Sequence, residues 1–298
     1  MPIPGKTIKF EAHHKKIKAP FTVYADFECK LAPVEGCSNK DDGSSTTQKH
    51  LHIPSSFAYL IKCSFDESLD CLEVYRGENS GEEFVRSLTS KIKDLYEQYV
   101  FNKFVPLVMS EENNKHCHAT AKCHICEKII EDPTEKVRDH CHMTGKYRGP
   151  AHNTCNTKYH LHHEVPVFFH NFSKYDSHLF ITELIRMQSD RNIQIIPSNT
   201  ETYISITKQV KISRNSGEPA AKRQKTTNKP DKQVYLRIEF KDSFRFLGAS
   251  IDALAKSLNP ATDFKNLHKF FERGAELLKR KGVFPYELIK RDVDYLRK

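Results

Sequence analysis

The chain has 298 residues, a formal net charge of +9 and a sequence pI near 9.0. Hydrophobic residues are 38% and charged residues 29%, enough apolar material for one large or two modest globular domains. Collagen-like and disulfide-stapled miniprotein classes are excluded, and no apolar run of about 18 residues exists to form a membrane span. Met1-Pro-Ile-Pro-Gly-Lys6 lacks the apolar stretch of a secretory signal. An intracellular or nuclear protein in a reducing compartment is therefore expected. The charge favours an acidic partner such as nucleic acid, a solvated basic surface being the plainer alternative.

In chain order, residues 1–20 are basic and irregular and end at Pro20. Phe21–Glu28 is rich in β-branched and aromatic residues and predicts a strand. Residues 33–49 predict a loop, and Ser56–Ser64 and Cys71–Tyr75 two more strands. Phe84, Leu88, Ile92, Leu95, Tyr96 and Tyr99 recur at helical spacing and predict a helix over Ser80–Val100. Ser80 and Glu83 read as its capping box. Residues 112–163 are poor in aliphatics. After them a strand is expected at Val165–Phe169, a helix at Asp176–Met187, and strands at Ile193–Ile196, Thr202–Ile206 and Val234–Phe240. Helices are expected at Ile251–Leu258 and Leu267–Lys281. The class is α/β. Residues 211–232 carry a charge of +5 between two predicted strands. There Lys222, Arg223 and Lys225 read either as a solvated loop or as a nuclear import or DNA-contact cluster.

Nine cysteines without an export signal point to metal binding rather than disulfides. Five of them, Cys117 to Cys155, lie within 39 residues, and eleven of the sixteen histidines lie between His116 and His178. Cys123-His-Ile-Cys126 and His152-Asn-Thr-Cys155 are two i,i+3 pairs, the spacing that converges on tetrahedral Zn²⁺. Cys117, His140, His142 and His160 are substitute ligands. Cys29, Cys37, Cys63 and Cys71 read as ordinary thiols. Asp26 and Glu28 are two apart on the first strand, so both face one side while Phe27 faces the other. With Asp176 at the start of a helix they supply the hard oxygen donors of a two-metal Mg²⁺ or Mn²⁺ site. Two exposed carboxylates at a strand end would look the same.

Asp26-Phe-Glu28 followed by Asn171-Phe-Ser-Lys-Tyr175-Asp176 resembles the first two exonuclease motifs of family B DNA polymerases. Residues 165–180, Lys241-Asp-Ser-Phe-Arg-Phe-Leu247 and Lys281-Gly-Val-Phe-Pro-Tyr286 are similar to the protein-primed branch found in Maverick/Polinton transposons and related viruses. The resemblance implies a ribonuclease-H-like α/β exonuclease domain over 21–111 and 164–298, interrupted by a zinc module at 112–163. It implies 3′→5′ proofreading within a DNA-directed DNA polymerase acting in replication. Asp26, Glu28 and Asp176 would bind two divalent ions and Asn171 would place the terminal nucleotide's backbone. Phe27, Phe172 and Tyr175 are candidate contacts, with core packing the plainer role for Phe27. The family's third motif, Tyr-x-x-x-Asp, has its nearest counterpart in Leu288-Ile-Lys-Arg-Asp292, with Leu in place of Tyr. Palm and thumb motifs are absent, so a separately encoded palm or a terminal protein joins single-stranded DNA as an expected partner.

Arg138-Asp139-His140-Cys141-His142 through Arg148-Gly149, with Asn156 after the last zinc ligand, resembles the treble-clef finger of recombination endonuclease VII, an HNH-type nuclease. That resemblance implies His140 as general base, with Asp139 and Asn156 on one Mg²⁺. The family's next acidic position is Cys141 here. A cutting site and a finger that only grips DNA are both open. A third reading is a non-enzymatic DNA-binding transposon remnant.

Overall fold

The computed structural model describes residues 10–34, 50–101, 103, 105–161, 163–187, 193–213, 233–280 and 282. In chain order these hold β1 (Phe21–Pro33), β2 (His50–Cys63), β3 (Cys71–Arg76), α1 (Ser80–Tyr96), α2 (Glu111–Ala119), β4 (Lys136–His140), β5 (Tyr147–His152), α3 (Asn153–Lys158), β6 (Glu164–Phe169), α4 (Asp176–Arg186), β7 (Ile193–Pro197), β8 (Tyr203–Ile212) and β9 (Val234–Asp242). Four short helices follow: α5 (Phe244–Leu247), α6 (Ile251–Lys256), α7 (Lys265–Phe270) and α8 (Ala275–Leu278).

Seven strands form one sheet in the order β3-β2-β1-β6-β9-β8-β7, while β4 and β5 form a separate hairpin. β1, β6 and β9 run parallel, and the flanking pairs are antiparallel. Strand alternation sorts the side chains. Val23, Phe27, Val167, Phe169, Ile238 and Phe240 are buried on one face. Tyr24, Asp26 and Glu28 lie open on the other.

α1 and α4 cover the buried face. Phe84 of α1 is fully buried at its centre, with ring centroids 4.9 Å from Phe27 and 5.1 Å from Phe180. Gly81 lets α1 approach α4: a Cβ there would stand 2.7 Å from the Leu179 carbonyl oxygen. The Cys/His-rich segment has its own small apolar cluster, Cys123, Ile125, Ile130 and Ala151. The connection to α1 runs alongside it, for Val105 and Val108 donate to the carbonyls of His142 and Gly145.

Four expectations are corrected. The capping box at Ser80 and Glu83 does not form. Asn79, at φ 57°, precedes the helix, the Ser80 hydroxyl donates to the Gly77 carbonyl, and Glu83 pairs with Arg86. Residues 97–101 leave α-helical geometry for a π turn. The last helix is two short ones, because Gly274 at φ 79° breaks the run between α7 and α8. β2 begins at His50, six residues before the expected Ser56, because it continues pairing with β1 beyond a bulge at Glu28/Cys29.

Candidate functional site

The metal-binding group is assembled from a knuckle and a hairpin. Cys123 and Cys126 sit on a turn closed by the Glu127 N–H donating to the Cys123 carbonyl, with Glu127 at φ 63°. His152 ends β5 and Cys155 lies on α3. The four ligand atoms all lie within 4.8 Å of one another. His152 Nδ1 is 3.5 Å from the Cys126 sulfur and 3.7 Å from that of Cys155. Tetrahedral zinc with Zn–S near 2.3 Å and Zn–N near 2.0–2.1 Å sets such neighbours about 3.6 Å apart. His152 Nε2 lies 3.2 Å from the Ile129 carbonyl, which fixes the tautomer that leaves Nδ1 free to ligate.

Burial pushes the Cys123 thiol up, but the N–H groups of Cys126, His152 and Ile125 and the His152 side chain outweigh it and bring it to about 6. Burial, with the Cys126 and Cys123 sulfurs, pushes Cys155 up to about 12. One thiolate therefore forms readily while another resists, and a cation would relieve that repulsion. The donor set fits structural zinc. Cys117, His140, His142 and His160 are not in the group.

Asp139 on β4 is 3% exposed and fully engaged. His124 Nε2, from the knuckle, is 2.9 Å from Oδ2, and Arg148 of β5 contacts both carboxylate oxygens, at 2.9 and 3.0 Å. Arg148 also donates to the His140 carbonyl at 2.6 Å and lies 5.2 Å from the Tyr159 ring centroid. His140 Nε2 is buried without a hydrogen-bond partner, and its ring is 4.8 Å from that of His142. Asp139, Arg148 and Asn156 line a cleft of about 460 Å³, with Ile17 and Val100 on its far wall.

Asp26, Glu28 and Asp176 do not converge as a metal-ligand group among the described residues, where Cys123, Cys126, His152 and Cys155 do; the carboxylates lie near the point where β1 and β6 part. These strands pair only at Val23↔Val167 and Tyr24↔Phe168. Asp176, 2% exposed, opens α4 within reach of the Asp26 charge and the Phe27 N–H. The Phe27 N–H hydrogen-bonds to both Asp26 and Asp176. Burial, reinforced by the Asp26 charge, pushes Asp176 up to about 7, against opposing backbone hydrogen bonds. Asp26 is open along its flank. Enough protein surrounds its carboxylate that desolvation still raises it, partly offset by the Phe27 N–H and the charge of His170. Glu28 is exposed on the same face as Asp26. Cys29, on the buried face, feels the charges of all three carboxylates and hydrogen-bonds to Tyr175.

The loop before Asp176 is held by Asp242 at the end of β9. Its Oδ1 accepts from the N–H groups of Asn171 (3.0 Å) and Phe244 (2.9 Å), and its Oδ2 from Ser173 (2.9 Å). Burial opposes ionisation of Asp242, but these bonds outweigh it and hold the carboxyl below its ordinary range. Asn171, exposed at φ 83°, turns the loop. The Tyr175 hydroxyl lies 2.8 Å from His52 Nδ1.

Residues 105–177 match the family model of recombination endonuclease VII. The match takes in the whole Cys₃His group and Asp139, His140 and Asn156, and runs on through Asn171 and Asp176. The chain thus carries an endonuclease VII-like module, which implies DNA binding and nucleic-acid processing. Neither the curated proteins nor the solved structures give a match, and nothing in the comparisons supports the polymerase resemblance.

Phe172 is fully buried and Phe27 is 4% exposed, so both are core residues rather than surface contacts. Asp292, Cys37 and the basic trio Lys222, Arg223 and Lys225 lie outside the described residues. His124, Arg148, His52 and Asp242 were not among the sequence candidates. Only Asp242 left a local signal, an Asp-Ser pair closing a strand.

Proposed function

We propose that the protein is a DNA nuclease in which the endonuclease VII-like module grips DNA and the carboxylates Asp26, Glu28 and Asp176 form the hydrolytic centre of a 3′→5′ exonuclease. The observation that supports this is Asp176, buried at the start of α4 and within reach of the Asp26 charge on β1, a pair whose mutual repulsion a cation would relieve. The five-strand unit β3-β2-β1-β6-β9, three antiparallel strands joined to two parallel ones, supports the ribonuclease-H-like reading. We read 21–111 and 164–298 as that domain, 112–163 as its zinc insert and 1–20 as a basic lead. The wider context proposed is a transposon- or virus-type family B polymerase acting in the nucleus or another reducing compartment.

Mg²⁺ or Mn²⁺ bound by the three carboxylates would supply the charge that favours an attacking water and a leaving oxygen. The chain's own groups do the placing. The Phe27 N–H favours the charged forms of Asp26 and Asp176, Asp242 holds the loop at Asn171 and Ser173, and the Tyr175 hydroxyl meets His52. Asn171, exposed on that loop, is placed to meet the strand's backbone. Zinc would be structural, tying knuckle to hairpin. Asp139, clamped by Arg148 and His124, is neutralised where metal chelation would need a free carboxylate, which supports the gripping role.

The second reading, favoured by the family match, is endonucleolytic cleavage in the module's cleft with His140 as base and Asp139 and Asn156 on a metal ion. A 3′-labelled single strand with Mn²⁺ separates the two. Loss of trimming in Asp26→Ala, with a double Asp139→Ala, His140→Ala variant still active, supports the exonuclease. Internal cuts lost only in the double variant support the endonuclease. DNA binding without cleavage in any sample would leave a binding remnant.

A further inference from the structure

The module's cleft adjoins a second cleft on the open face of the sheet, the face that also carries Asp26. The module's cleft shares Ile17 and Leu161 in its walls with a second cleft of about 440 Å³. That second cleft lies on the open face of the sheet, lined by Lys15, Arg237 and Lys241 together with Glu164 and Glu239. Lys241 is the register partner of Phe168, and Phe168 that of Tyr24. Tyr24 is half exposed and stacks on Phe168 at 6.0 Å, while Phe246, 64% exposed, meets Phe168 edge-on at 5.7 Å. Two residues beyond Tyr24, on the same face, is Asp26. A path therefore runs from the carboxylates over aromatic rings, past cations, and under the module.

We propose that a single DNA strand occupies this path, with its 3′ end at Asp26 and its upstream nucleotides in the cleft beneath the endonuclease VII-like module. The proposal rests on the nuclease reading of the carboxylates. The chemistry along the groove is that of single-strand recognition, with rings for bases to stack on and cations for the phosphates. Arg237 makes the point locally. Its Nε is buried without a hydrogen-bond partner, while Nη1 reaches Glu164 at a loose 3.4 Å. A phosphate oxygen would reach the guanidinium from the exposed side of Arg237. Lys15 is exposed on the opposite wall.

The length of the path gives the proposal a number. β6 runs along the groove from Glu164 to Phe169, about 17 Å at ~3.3 Å per residue. At ~3.4 Å per stacked nucleotide, that is about five nucleotides before the module's cleft begins. A strand of about four nucleotides reaches only the carboxylate end, and one of about twelve spans both ends.

The test is fluorescence anisotropy of the full chain with 5′-labelled oligothymidylates of these two lengths, without Mg²⁺ or Mn²⁺ so that nothing is cut. The longer strand is expected to bind at least about tenfold tighter, with a steeper salt dependence. Thr157→Glu at the module end and Lys15→Glu at the middle should each erase that gain and leave binding of the short strand within about twofold. Both sites are at the surface, so circular dichroism of the variants checks that the fold is intact. Equal affinity for both lengths, or a gain that survives both variants, would overturn the path. Asp26→Ala separates this from the nuclease reading, since it should abolish trimming and leave the length gain untouched. A length gain that persists where wild type never trims would sink the nuclease reading alone.

Discussion

Asp176 offers the sharpest handle on the carboxylate cluster. Its pKa is raised from 3.8 to about 7 in the metal-free fold, first by burial and then by Asp26. A carboxyl raised on folding binds its proton more tightly in the native than in the unfolded state. Stability therefore falls as pH climbs from about 4 to 7, and the penalty is complete above that window. A shift of about three units at 1.36 kcal/mol each makes the full penalty about 4 kcal/mol. Asp176→Asn keeps the shape and an acceptor for the Phe27 N–H while removing the charge. At pH 8 without Mg²⁺ or Mn²⁺ it should be more stable than wild type by up to about 4 kcal/mol, and at about pH 3.5 the two should nearly coincide. For a domain of this size each kcal/mol moves Tm by about 2–4 °C, so a gain of about 10 °C is expected in thermal melts. Added Mn²⁺ at pH 8 should raise the Tm of wild type and not that of the variant. A variant that melts at or below wild type at pH 8 would refute the claim that Asp176 and Asp26 form a repelling, cation-seeking pair.

Cys126→Ser should drop bound zinc from one per chain to near zero and unfold 112–163 locally, as judged by metal analysis and limited proteolysis, while the main sheet stays folded around its separate core. Asp139→Ala removes the shared acceptor of His124 and Arg148 and should cost the module about 1–3 kcal/mol, read as faster hydrogen exchange in β4 and β5. Phe84→Ala empties the centre of the aromatic core and should destabilise the main sheet by about 3–5 kcal/mol in urea melts. Deleting 213–232 should shallow the salt dependence of single-strand binding by roughly 0.7 for each phosphate no longer neutralised, and an unchanged slope would mean that these basic residues do not meet DNA.

The central strands were legible because both sides of each carry their own signal. Phe21–Glu28 and Val165–Phe169 alternate apolar and polar or aromatic residues where one face is covered by α1 and α4. The zinc ligands were legible because two i,i+3 pairs carry chemistry that few other arrangements use. What was hidden depended on distant partners. Residues 50–54 of β2 carry two histidines and a proline and give no strand signal of their own, yet they are strand because β1 supplies a partner beyond its bulge. The clamp on Asp139 joins His124 and Arg148, fifteen residues before it and nine after, and no local pattern signals that they meet. The Ser80 cap failed because the chain enters α1 through a left-handed Asn79, which points the serine hydroxyl back at Gly77. Asp242 read as one more polar residue at a strand end. Its three N–H donors come from a loop about seventy residues upstream and from its own following turn.

The hydroxyl of Tyr96, at the last turn of α1, donates to the carbonyl of Glu164, at the first residue of β6, across 3.2 Å. Tyr99, Val100 and Phe101 still pack on the main core, and the Cys/His module beyond them returns to it at Glu164, close to that bond. Such a seam is where a lineage can gain or shed a whole module without disturbing its host. A bridge of a few glycines and serines could close it, because closing so short a gap costs little chain entropy. The cleft on the module's inner side would vanish with it, whereas Asp26 and Asp176 stand on the far side of the seam, on strands and a helix whose packing partners all lie in the main body. The module's cleft and the carboxylates would then be inherited as separable traits.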